Sequence, residues 1–230
     1  MKNIKPIAAL IAAVLLIAAV IPACAPKADE NIVLSPVRIA PHRFADSWAE
    51  TCSFESLRAH SVAAVCVRIG SWLGEEDFRS YFAAETARRI VGDAPESFTL
   101  SQCGDSFASY NTPFFKYGNE YLVFISKSEQ AGSCGEYWFM PFDYLSFFDI
   151  VTLPSGEKYA MDRFGLLSET LVRHIRNHAD DDALAEEIRR IMIENDGTWE
   201  GLGLKVRTAY KLDELAAYLA RVLSADNRDD

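Results

Sequence analysis

The apolar positions of this chain fall into three regimes. From Ile7 to Ile21 every residue is Ala, Ile, Leu or Val, about fifteen in succession behind Lys2 and Lys5. Residues 25–50 carry Pro26, Pro36 and Pro41 among few periodic apolar positions, which predicts a tether with one edge strand near Ile32–Leu34. Phe54 to His60 predicts a short helix. In "SVAAVCVRIGSWLG" the β-branched Val62, Val65, Val67 and Ile69 partly alternate, as in a strand that ends near Gly70–Gly74, leaving Trp72 in the loop after it. Residues 75–92 carry two patterns at once. Early acids, inner alanines, late arginines and Gly92 fit a helix, whereas Phe82, Ala84, Thr86 and Ile90 alternate as in a strand. "SFTLSQCG", "EYLVFISKS" and "EYWFMPF" predict short strands, and Pro154-Ser155-Gly156 predicts a hairpin between two extended runs.

The last third changes period. Leu171, Val172 and Ile175 recur at helical spacing after Ser168, a cap onto which Leu167 packs back. Asp180–Asp182 precede a second helix with the stripe Leu184, Ile188, Ile191 and Met192, and with Glu186 and Arg190 one turn apart. Asp213 opens a third, with Leu215, Tyr218, Leu219, Val222 and Leu223 on one face. The predicted class is therefore α+β, a strand-rich body followed by a hairpin and about three amphipathic helices docked on it.

The N-terminal run suits a signal-peptide core of about 7–15 apolar residues better than a span of about 20. "ACA" at Ala23–Ala25 has the small-x-small form of an ordinary cleavage site, but Pro26 would follow that cut. "IPAC", Ile21 to Cys24, resembles a bacterial lipobox, in which the cysteine thiol takes a diacylglycerol and becomes the new N-terminus. The favoured division is a signal peptide over 1–23, a lipid-anchored tether over 24–50, a β-rich body over 51–165 and a helical region over 166–225. The expected location is the extracytoplasmic face of a bacterial cell membrane. Loss of residues 1–23 removes two lysines and no acid, so the formal net charge moves from −10 to −12. That balance repels phosphate backbones and argues against nucleic-acid binding. Apart from Cys24 the cysteines are Cys52, Cys66, Cys103 and Cys134. An even set in an exported chain permits two disulfides, in any of three connectivities, and with no C-x-x-C pair it predicts neither a zinc ribbon nor a redox motif.

The order of elements adds a resemblance. A valine-rich strand, then "YFAAETARRIVGDAPESFTL", Cys103-Gly104, a loop, and Gly118 ahead of Tyr121-Leu122 resemble the oligonucleotide/oligosaccharide-binding (OB) barrel of netrin-like modules and tissue inhibitors of metalloproteinases. The match covers about ninety residues, 52–142, and implies that residues 80–92 form a strand. It departs from the pattern at 104–117, which predict no clean helix where such barrels usually have one. The inhibitory chemistry of that family uses a free N-terminal cysteine, which a lipid on Cys24 would block.

Chemical motifs are sparse, and none implies a cofactor. "GDSF" at Gly104–Phe107 echoes a serine esterase block, yet no histidine follows an aspartate by three residues, so Ser106 lacks the base its hydroxyl needs. His174 and His178 stand four apart on the first predicted C-terminal helix, but the intervening Ile-Arg-Asn supplies no carboxylate and arginines surround them, so they read as boundary residues rather than metal ligands. Gly201-Leu202-Gly203 lacks the third glycine of a dinucleotide loop. Trp72 is the candidate partner-binding aromatic, because OB barrels bind across strands two and three and the adjoining loops. The function expected from sequence is a membrane-anchored, non-enzymatic module binding a protein or glycan, with a hydrolase using Ser106 or an acid pair as the alternative.

Overall fold

The computed structural model describes residues 54–106, 114–142, 147–162 and 174–224, together with the two-residue strands β1 (Arg38–Ile39) and β5 (Ala108–Ser109), which pair in parallel. The signal segment, Cys24, the strand expected at Ile32–Leu34, Cys52, and Ser168 with Leu171 and Val172 lie outside the described residues. Helix α1 (Phe54–His60) leads into β2 (Ala63–Glu76), β3 (Arg79–Gly92) and β4 (Ser97–Cys103). After β5 come β6 (Glu120–Lys127), β7 (Trp138–Phe139), β8 (Phe147–Thr152) and β9 (Lys158–Met161). Then come α2 (Asp182–Asn195), α3 (Thr198–Leu202), β10 (Tyr210–Lys211) and α4 (Leu212–Ser224).

Five strands close on themselves. β2 pairs antiparallel with both β3 and β6, β3 with β4, β4 in parallel with β7, and β7 antiparallel with β6. In order of appearance the ring reads first, second, third, fifth, fourth, the closed OB-like barrel. The other edge of the sheet continues outward, with β8, β9 and β10 laid successively beside β6. One edge of β6 is thus divided: Glu120–Val123 face β8, while Ser126 and Lys127 close the barrel against β7.

The alternation in β2 and β6 follows from burial on both faces. Val65, Val67 and Ile69 point inward with Tyr121, Val123 and Ile125, and Phe82, Leu100, Phe114 and Phe115 fill the rest of the barrel. Ala64, Cys66, Leu122 and Phe124 point outward beneath Leu212, Leu215 and Leu219 of α4. Strands buried on both sides read as nearly continuous apolar runs, which is how both appear in sequence. A third cluster joins Val151, Tyr159 and Met161 of the hairpin to Ile188 and Met192 of α2.

Residues 79–92 are a strand. Its first half is buried between β2 and β4, but from Glu85 onward most residues are exposed, and there alanine and arginine imitate a helix. Gly92 ends it with φ +77, where a Cβ would lie 2.1 Å from the Val62 carbonyl oxygen.

Several expectations need correction. Trp72 lies within β2 opposite Phe82, not in a following loop, because Gly70-Ser71 forms an irregularity inside the strand and not its end. His174 and His178 do not share a helix, since residues 174–178 run as a turn and irregular chain. In α2, which Asp181 caps by accepting from the Ala183 and Leu184 amides, Glu186 pairs with Arg189, and Arg190 pairs with Glu194.

Candidate functional site

The β2–β3 hairpin turns over Asp77 and Phe78, with φ of 48° and 60°. Two adjacent non-glycine residues in the left-handed region store strain of about 1–3 kcal/mol each, a cost that persists where neighbouring structure enforces it. Here the neighbours are two loops, each held by one of two consecutive glutamates. Glu75 accepts both the amide and the hydroxyl of Ser106 at 2.7 Å, fixing the loop after β4. Glu76 accepts the Ser133 amide at 2.7 Å, fixing the loop between β6 and β7. The Phe78 carbonyl accepts from the Gly104 amide, tying the turn itself to the first loop.

The β6–β7 loop covers this end of the barrel. Gly132 and Gly135 exchange backbone hydrogen bonds in a tight turn. Gly132 lies so near Tyr81 that a Cβ would stand 2.4 Å from the phenolic oxygen. Tyr81 meets Tyr137 edge-on at 5.3 Å, and the Arg79 guanidinium lies 5.9 Å over the Tyr137 ring while donating to Ser101. Burial under this loop, aided by Tyr137 and Glu76, raises the pKa of the Tyr81 hydroxyl, so it stays protonated. The β2–β3 turn and the two loops tied to it carry Glu75, Glu76, Asp77, Asp105, Glu129 and Glu136, against Arg79 and Lys127. Lys127 is already engaged, and its hydrogen bond to Glu136 lowers that carboxyl's pKa.

Comparison of the chain with protein-family models, with curated proteins and with solved structures finds no match in any of the three.

The structure brings Ser106 to this end and gives its hydroxyl a carboxylate partner, Glu75, rather than an imidazole. Both oxygens of one carboxylate grasp one serine, through its amide and its side chain, which is how a loop is fastened. Trp72 packs its ring against the barrel interior, and its indole nitrogen is buried. His174 stacks on Tyr218 at 5.4 Å, whereas His178 meets Tyr159 edge-on at 5.7 Å, so the two imidazoles pack on different aromatic rings. Among the described residues no group of three or more His, Cys, Asp or Glu side chains gathers as a metal site, and no helix is long and apolar enough to cross a membrane.

Cys66 lies apart from the barrel end. Cys66 sits mid-strand beneath α4, 2% exposed, with burial raising its pKa to about 11. Cys134 is at the barrel end, its sulfur 3.3 Å from where a Gly74 Cβ would be. Cys103 is on β4, opposite Arg79. Glu75, Glu76 and the strained turn carry no sequence signal as a site, because Ser106 and Ser133 lie 31 and 57 residues from the glutamates that hold them.

Proposed function

We propose that the chain is a bacterial lipoprotein, anchored through Cys24 on the extracytoplasmic face of a membrane, whose barrel end holds a basic segment of a protein partner without chemical turnover. The observation that carries the binding reading is the pair Glu75–Glu76. Consecutive carboxylates hold two separate loops in place around a strained tip, and a surface prearranged in this way loses little entropy on binding. The acids that ring it favour a cationic partner and disfavour an anionic glycan. The β2–β3 turn and the β6–β7 loop correspond to loops by which OB barrels take ligands, and kinship with netrin-like modules is part of the same proposal. So is the arrangement of the C-terminal region as a group of three helices.

A photo-crosslinking residue at position 78 tests the binding end in cells. A discrete protein adduct from position 78, absent from a control position at the exposed Glu194 of α2, is the expected result; equal adducts from both positions would remove the reading. Anchoring is tested separately. Cys24→Ser should leave the protein outside the lipid-modified membrane fraction, and mass spectrometry of the wild-type N-terminus should find a diacylglyceryl cysteine.

The Glu75–Ser106 contact is the one observation that favours the hydrolase alternative, since a carboxylate at 2.7 Å is placed to take a proton. Turnover of an ester, peptide or glycoside that disappears in Ser106→Ala would establish that alternative.

A further inference from the structure

A second concavity lies away from the barrel end, at the seam between the barrel wall and the C-terminal region. It is a cleft of about 750 Å³, within the range of sites for small ligands. Its floor is Cys66 of β2 with Ala87 and Leu212, and its walls are the β8–β9 turn and the first turn of α4. Burial keeps the Cys66 thiol protonated at neutral pH, so this floor is uncharged.

Three ion-paired groups stand around that floor. Glu120 is held by both Lys158 and Arg68, at 2.5 and 2.8 Å. Burial alone would raise its pKa, but the two cationic hydrogen bonds outweigh burial and lower it. It is a fixed wall. The other two pairs, Arg88–Asp213 and Lys211–Glu157, are open: the partners are 45% and 91% exposed in the first, 39% and 51% in the second. Exposed pairs contribute about 0–1 kcal/mol, so opening one costs little, and a ligand gains most where both freed charges find new partners.

That condition selects the ligand. A lone anion entering between Arg88 and Asp213 would satisfy the guanidinium and displace the carboxylate, and a lone cation would do the reverse. An ammonium and a carboxylate on one molecule turn one pair into two, with no charge left over. We propose that this cleft binds short zwitterionic peptides, with the carboxylate on Arg88 or Lys211, the ammonium on Asp213 or Glu157, and an apolar side chain over Cys66, Ala87 and Leu212. The site is distinct from the barrel end and stands or falls without it.

Calorimetric titration of the full chain in detergent solution with three peptides of equal bulk tests the charge rule. Leucyl-leucine should bind saturably. N-acetyl-leucyl-leucine, which keeps only the carboxylate, and leucyl-leucinamide, which keeps only the ammonium, should each bind about tenfold more weakly or worse. Raised salt should weaken leucyl-leucine binding. Arg88→Gln and Lys211→Gln alter exposed side chains, and together they should abolish saturation while leaving the circular dichroism spectrum and melting temperature near wild type. No saturation by leucyl-leucine up to about 10 mM, equal binding of the capped peptides, or unchanged binding in the folded double variant would each overturn the proposal. The comparison of the three peptides on the wild-type chain decides the matter even if a variant fails to fold.

Discussion

Cys66 has no cation strong enough to offset its desolvation, so its pKa is near 11 in the fold against 9.0 for the free side chain. The sign of the linkage follows. A folded pKa above the unfolded one means that the folded chain holds its proton longer, so the stability this gives is complete below about pH 9 and is lost as pH rises toward 11. Denaturant melts across that window should show stability falling by up to about 1.4 kcal/mol per pH unit from this group, and Cys66→Ala should remove that part of the slope. Glu76 makes a complementary prediction. Glu76→Gln exchanges a charge-assisted bond for a neutral one, so amide exchange at Ser133 should accelerate by about fivefold, roughly 1 kcal/mol, while exchange within β2 stays unchanged.

At the level of elements, sequence and structure agree where burial is two-sided and part where it is not. β2 and β6 declare themselves because both faces of each strand are covered. β3 does not, because its outer half meets water, and there alanine and arginine serve a strand as well as a helix. The order of neighbouring elements, rather than its own composition, marked it as a strand. Trp72 departs from its expected loop for a related reason: Gly70 and Ser71 look like a turn, yet they form a step inside a strand whose pairing to β3 resumes at Trp72. β10 and α3 are two and five residues long, too short for periodicity to reveal. The cleft was invisible because its walls depend on register, with Cys66 opposite Arg88 on one side and Leu122 on the other. Gly92→Ala tests the strand assignment directly. The added methyl collides with backbone at a positive φ, so the variant should lose about 1–3 kcal/mol in chemical denaturation, whereas the same residue at the end of a solvated helix would lose at most about 1 kcal/mol.

Across the whole molecule, barrel and C-terminal region share strand β6 and one hydrophobic layer, so they should unfold together. Leu219 is fully buried in that layer, with Leu122, Phe124 and Phe148 in the same cluster. Leu219→Ala should cost about 2–5 kcal/mol, read as one cooperative transition monitored at both ends of the chain. Two separated transitions would show that the barrel stands without its C-terminal cover. A buried contact makes a second tie: Lys116 lies 3.5 Å from Asp196, the residue that ends α2, and both side chains are mostly shielded from water.

The outward faces of β2 and β6 have a consequence in time. A chain made from its N-terminus has every strand of the barrel by Phe139, yet the cluster that holds Cys66, Leu122 and Phe124 is completed only with Leu212, Leu215 and Leu219 of α4, whose last residue is Ser224. Until about eighty-five further residues have followed, a greasy stripe on a finished wall is open to any neighbour, and partly made chains with such stripes adhere to one another. Synthesis must therefore run through α4 before this protein is safe from its own copies.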